Sequence, residues 1–134
     1  MVSFENLTLG DDGPIYRQII RFVQRGIVAG AIRAGEEMPS RRALSALLGV
    51  NPNTIQKACR MLEEEGLIQS RSGAKSYVSA EPELVERVRS QLLAEDARRL
   101  VEALRQTGAS KADCMALLER LWDEGIREEK EEEQ

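Results

Sequence analysis

Between Arg41 and Met61 the sequence carries Arg41, Arg42, Asn51, Asn53, Gln56, Lys57 and Arg60, and not one acidic residue. Amide side chains offer a donor and an acceptor side by side, while guanidinium and ammonium groups offer only donors and a positive charge. These are the groups that read base edges and hold phosphates. Other chemistries lack their residues. There is no histidine, which removes Ser-His-Asp, Cys-His and His-ligated zinc sites. Two cysteines, Cys59 and Cys114, cannot complete a four-ligand zinc site or a disulfide framework. They lie among apolar residues at helical spacing and are expected to be reduced core or semi-core residues. The acids an enzyme would use, Glu63-Glu64-Glu65 or Glu81 and Glu83, fall on expected solvent faces. Neither a glycine-rich phosphate loop nor an activated nucleophile accompanies them. No catalytic residue, metal or cofactor is expected.

The elements that must position the amide and basic residues follow from spacing. Pro14 opens a helix after Asp12-Gly13, and Ile15, Ile19, Phe22, Val23 and Ile27 form one stripe on it to about Ala29, with Gly30 as its stop. Residues 31–37 read as a loop with at most a short strand. Ser40 is a good N-cap for a helix of about eight residues, whose inner stripe is Ala43, Leu44, Leu47 and Leu48 and whose stop is Gly49. Asn51-Pro52 then caps and opens a third helix, with Ile55, Ala58, Cys59 and Leu62 inward and Gly66 at its end. Two short helices joined by a tight, glycine-containing turn form a helix-turn-helix. The outer side of its second helix holds Asn53, Thr54, Gln56, Lys57 and Arg60. Two β-capable runs, 67–71 and 74–79, flank Ser72-Gly73 and read as a hairpin, the wing of a winged helix, with Arg71 and Lys75 beside its tip.

Charge divides along the same lines. The whole chain of 134 residues has a net charge of −4, which by itself argues against a nucleic-acid partner. Residues 1–13 carry −3, residues 14–80 carry +5 and residues 81–134 carry −6. A basic middle and an acidic end suggest regions with different partners. Glu81-Pro82 starts a long helix to about Gln106, with a wide stripe of Leu84, Val85, Val88, Leu92, Leu93, Ala97, Leu100, Val101 and Leu104. Thr107-Gly108-Ala109-Ser110 is a break that caps a last helix carrying Met115, Leu118, Leu121, Trp122 and Ile126. The tail from Arg127 is charged and expected to fray. The expected organisation is mainly α with a small β-hairpin: a winged helix-turn-helix at 1–80 and a helical dimerisation region at 81–134.

The stretch from Met38-Pro39-Ser40-Arg41-Arg42-Ala43-Leu44 through Leu48-Gly49-Val50-Asn51-Pro52-Asn53-Thr54-Ile55 to Leu62-Glu63-Glu64-Glu65-Gly66-Leu67-Ile68 resembles the GntR family of bacterial transcription regulators. The resemblance covers about residues 14–79, with the family's spacing kept throughout. Pro14-Ile15-Tyr16, Gln18-Ile19 and a helical tail of about fifty residues are similar to the YtrA-type subfamily, small dimeric repressors often of transporter operons. The resemblance implies that Arg42 contacts DNA, that Thr54, Asn51 and Asn53 occupy the polar turn, and that Gly73 forms the wing tip. Pro52 and Gln56 stand where many members have DNA-contacting arginines. The wing reads Gly73-Ala74-Lys75-Ser76 rather than Gly-Arg-Gly-Thr, so its contact passes to Lys75.

These readings combine into a cytoplasmic, sequence-specific regulator that binds double-stranded operator DNA as a homodimer, expected to be a repressor on an inverted repeat. Its DNA-binding residues are Ser40, Arg41, Arg42, Asn51, Asn53, Thr54, Gln56, Lys57, Arg60, Arg71, Gly73 and Lys75. Val88, Leu92, Leu93, Leu100, Leu104, Leu118, Leu121 and Trp122 are the expected dimerisation residues. Tyr16 and Tyr77 read as half-buried packing residues. The alternative is a winged-helix module that binds protein; an amide-rich, basic outer face on the third helix favours DNA. No membrane span, signal peptide, ligand domain or effector is specified by these residues.

Overall fold

The computed structural model describes every residue except Ser72, Ala74 and Gln134. Five helices and one hairpin are described: α1 Ile15–Val28, α2 Arg41–Leu48, α3 Pro52–Glu65, β1 Ile68–Ser70, β2 Ser76–Val78, α4 Pro82–Arg105 and α5 Lys111–Glu132. The chain divides into two compact units, Met1–Leu92 and Leu93–Gln134.

In the first unit, α1 buries Ile19, Ile20, Val23 and Ile27, and α3 buries Ile55, Ala58, Cys59 and Leu62. Both stripes are those expected from three- and four-residue spacing. The caps also fall where the sequence places them. Ser40 Oγ accepts the Ala43 N–H at 3.0 Å, and Asn51 Oδ1 accepts the Asn53 N–H at 2.8 Å. Each satisfies a donor that a helix start leaves free. Gly66 ends α3 at φ +92°, a left-handed conformation open to glycine, and its N–H bonds the Leu62 and Glu63 carbonyls. Pro14 is itself the cap of α1 and no side chain caps it; instead Gln18 reaches back to the Gly10 N–H and to the Gly10 and Gly13 carbonyls.

The hairpin is antiparallel, pairing Ile68 with Val78, Gln69 with Tyr77 and Ser70 with Ser76. Its β2 edge is covered by the loop before α2: Met38 N–H bonds the Ser76 carbonyl and Val78 N–H the Glu36 carbonyl, both at 2.8 Å. That loop receives the N-terminus in turn, through Val2 N–H to the Glu37 carbonyl at 2.9 Å. Val2 and Phe4 are buried, with the Phe4 ring 5.2 Å from that of Phe22.

Several expectations need correction. Leu47 lies 58% exposed and Ala43 is also exposed, so α2 buries only Leu44 fully. A helix of two turns presents one residue squarely to a core, and positions three ahead or one behind rotate to its margins. Val88 and Leu92, expected in a dimer interface, belong to the core of the single chain, at 1% and 5% exposure. The first three turns of α4, Pro82 to Leu92, therefore complete the winged-helix core. The first unit extends to Leu92, past the 80/81 position where the sequence suggests a boundary and α4 begins. The charged tail from Arg127 is part of α5, which continues to Glu132.

The second unit comprises the remainder of α4 and α5. Ser110 Oγ accepts the Asp113 N–H at 3.1 Å, the expected cap. No described residue of α5 is buried, and Leu93, Leu100, Val101, Met115, Leu121, Trp122 and Ile126 are all exposed. A groove of about 460 Å³ runs between Leu100, Val101 and Leu104 of α4 and Cys114, Met115 and Leu118 of α5. No described helix is long and apolar enough to cross a membrane.

Candidate nucleic-acid interface

The inward stripe of α3 forces its other residues outward, so Asn53, Gln56, Lys57 and Arg60 are all exposed. Two surface concavities connect this face to its neighbours. One, of about 640 Å³, is lined by Arg41, Arg42, Ser45 and Ala46 of α2 and by Pro52, Asn53 and Gln56 of α3. The other, of about 440 Å³, runs from Ser40, Arg41 and Arg42 to Ser70, Gly73 and Ser76 of the hairpin. Arg41 and Arg42 line both. The structure thus brings together the start of α2, the start of α3 and the wing on one side of the first unit. The turn between the helices is held by Ser45, whose hydroxyl donates to the Val50 carbonyl at 2.5 Å.

The expected contact residues differ in what holds them. Arg42 and Arg60 are exposed and make no hydrogen bond or ion pair among the described residues. Ser40 and Asn51 use one oxygen each as a helix cap, which leaves the Ser40 hydroxyl proton and the Asn51 amide N–H groups available. Thr54 is half-buried. Lys57 places its ammonium 4.0 Å from the centre of the Tyr16 ring, a cation–π contact that ties α3 to α1. Arg71 lies over Tyr77 at 4.8 Å. Tyr16 and Tyr77 are half-buried, as expected, but both also carry a cation on one face. Lys75 approaches Glu37 at 3.9 Å with 65% of its side chain exposed, so this pair is weak and readily exchanged. Gly73 has φ +86° at the wing tip. Ser72 and Ala74, which complete the expected turn, lie outside the described residues.

Arg41 is engaged most fully. Its Nη1 donates to Gln56 Oε1, and its Nη2 lies 3.7 Å from Glu63 Oε1. The same Glu63 oxygen accepts the Ser70 hydroxyl of β1. Cys59 lies beneath this cluster; burial pushes its thiol above the ordinary range, and the Arg41 guanidinium partly opposes that rise. Glu63 is the residue that sequence reasoning missed, since it reads there only as one of three acids closing a helix. Its position seven residues after Gln56 places both on one helix face two turns apart, and that signal was present.

Comparison with known proteins agrees with this architecture. The family model described as bacterial regulatory proteins, gntR family, matches residues 15–78. The transcriptional repressor YtrA of Bacillus subtilis is 39% identical over 66 residues, covering 49% of this chain and 51% of YtrA, so the chain spans about half the length of that relative. A GntR family transcriptional regulator from Listeria monocytogenes superposes with a TM-score of 0.71 at 28% identity, over 84% of this chain and 98% of that one. YtrA from Sulfolobus acidocaldarius, a GntR-family transcription factor, is 31% identical with a TM-score of 0.55, over 74% of this chain and 99% of that one. With the family model matched over residues 15–78 and a GntR-family factor 31% identical over 99% of its own length, the chain belongs to the gntR family of bacterial regulatory proteins.

Proposed function

We propose that the chain is a cytoplasmic, sequence-specific repressor that binds an inverted-repeat operator as a homodimer. The observation that carries this reading is the exposed amide and cation face on α2 and α3: Arg42, Asn53, Gln56, Lys57 and Arg60, with no acid between Arg41 and Met61. In this reading α3 enters the major groove and the wing lies along the backbone. The acidic second unit, repelled by phosphate, stays away from the duplex.

Dimerisation is proposed for the second unit. Leu93, Leu100, Leu104, Leu118, Leu121 and Trp122 remain as interface residues, while Val88 and Leu92 are withdrawn because the monomer core already holds them. A 22-residue helix with no buried residue has no packing reason to persist alone. Burying one Leu or Val contributes about 1.5–3 kcal/mol, so four to six such side chains per chain exceed the cost of association. A two-fold dimer copies its symmetry into paired half-sites.

Gel shifts at fixed salt, on a selected duplex and a scrambled one, test the DNA reading. Arg42→Ala is expected to cost about 1–3 kcal/mol on the selected duplex and far less on the scrambled one. Equal affinity of the native chain for both duplexes would refute sequence-specific binding. Equal weakening of both by Arg42→Ala would make Arg42 a phosphate contact.

A further inference from the structure

We propose that Arg41 and Glu63 convert Gln56 from an adenine reader into a guanine reader. The proposal deepens the operator-binding reading and rests on it. A free glutamine amide matches the adenine edge in the major groove, donating to N7 and accepting from the N6 amino group. Gln56 is not free. A guanidinium has donors only, so the atom that meets Arg41 Nη1 is Oε1, the acceptor that adenine would need. The amide is left presenting its two Nε2 protons outward.

Oε1 keeps a second lone pair, and the charge of Arg41 decides what can approach it. An adenine N6 amino group brought to that oxygen would set its positive protons against a guanidinium. The guanine edge presents only acceptors there, O6 and N7, and both the Nε2 protons of Gln56 and the outward N–H groups of Arg41 suit them. The Arg41 side chain is 40% exposed, so its remaining donors face the concavity that it shares with Arg42 and Asn53. No acidic side chain lines that concavity to reverse its sign.

Glu63 is the positioning residue. Its carboxylate holds the far side of Arg41 at 3.7 Å and is itself fixed by the Ser70 hydroxyl of β1. With the guanidinium drawn back toward α3 on that side, Nη1 stays on Gln56 rather than swinging to a phosphate. The chain of contacts from β1 through Glu63 and Arg41 to Gln56 lies within the first unit, so the wing strand helps to set the base preference.

The test is selection from a randomised duplex library by the full-length chain, repeated with Gln56→Ala, Arg41→Ala and Glu63→Gln. The position that Gln56→Ala relaxes is expected to be guanine for the native chain. Arg41→Ala is expected to move that position to adenine by on the order of tenfold, the scale of one good bidentate pair. Glu63→Gln is expected to weaken the guanine preference there and leave the other positions unchanged, which a merely structural role would not do. If Arg41→Ala melts below the selection temperature, Arg41→Met keeps the aliphatic stem, removes the donors and takes its place. Adenine at that position with the native chain, or guanine retained after the loss of Arg41, overturns the proposal. If the native chain enriches no sequence at all, the operator-binding reading fails first; enrichment without the guanine-to-adenine shift defeats this inference alone.

Discussion

Replacing Leu92 and Leu100 separately should divide folding from association, although the two residues lie eight positions apart on one helix. Leu92 is 5% exposed, inside the core shared by α1, α3 and the hairpin, whereas Leu100 is 41% exposed. Leu92→Ala removes three buried carbons and leaves a cavity, at a cost of about 2–5 kcal/mol. A unit of 92 residues is expected to have a total stability of about 5–14 kcal/mol, so this is a large share of it. At roughly 4–8 °C per kcal/mol for a domain of this size, melting should fall by about 8–40 °C. Leu100→Ala leaves no cavity in the first unit and should shift its melting by only a few degrees. Both tyrosines, Tyr16 and Tyr77, lie in the first unit and the single tryptophan, Trp122, in the second. Tyrosine near-ultraviolet circular dichroism and tryptophan fluorescence therefore report the units separately, with sedimentation giving the assembly state. The expected result is a destabilised tyrosine signal in Leu92→Ala and a weakened dimer in Leu100→Ala. A Leu92→Ala chain that melts like the native one, or a Leu100→Ala chain that loses the tyrosine signal equally, would refute the division of α4 between core and interface.

Removing the cap oxygen in Ser40→Ala should lower stability by about 1 kcal/mol in urea titration, because the Ala43 N–H loses its acceptor at a partly exposed helix start. Lys75→Ala should flatten the slope of log K against log salt by about one charge, and an unchanged slope would place the wing tip off the backbone. The two thiols should label at different rates in the folded chain, with half-buried Cys114 fast and buried Cys59 slow, read by mass spectrometry. Because burial holds the Cys59 thiol above its unfolded value, its contribution to stability is intact at neutral pH and is lost as pH rises past the ordinary thiol range. Acid should leave that contribution untouched.

Much of this architecture is legible from residue spacing. The stripes of α1 and α3, the caps at Ser40, Asn51 and Ser110, and the hairpin around Gly73 each follow from local rules, and local rules need only neighbours in sequence. What was not legible depends on contacts distant in sequence. Val2 and Phe4 are too few to show a periodicity, and their burial depends on partners distant in sequence, the loop at Glu37 for Val2 and Phe22 of α1 for Phe4. The apolar stripe of α4 is continuous, so nothing in its spacing shows that Val88 and Leu92 face a core while Leu93 and Leu100 do not. Leu47 extends an inner stripe on paper and lies outside because α2 is too short to bury a second turn. At the candidate interface, residue types picked out side chains of α2, α3 and the hairpin that the structure gathers on one side of the first unit. Their spacing did not reveal that Lys57 rests on Tyr16, or that Arg41 is already bound to Gln56 and Glu63. Those pairings join residues fifteen or more positions apart, and pattern reading along one helix does not reach them.

The central claim is that the α2–α3 face reads sequence in double-stranded DNA. The most direct test is the ratio of affinities of the full-length chain for its library-selected duplex and for a scrambled duplex, by fluorescence anisotropy at physiological salt. Sequence-specific regulators discriminate by at least about 10³, and the account predicts a ratio of that order with two chains per duplex. A ratio near one, with both affinities vanishing together as salt rises, would reduce the basic face to nonspecific phosphate attraction and contradict the account.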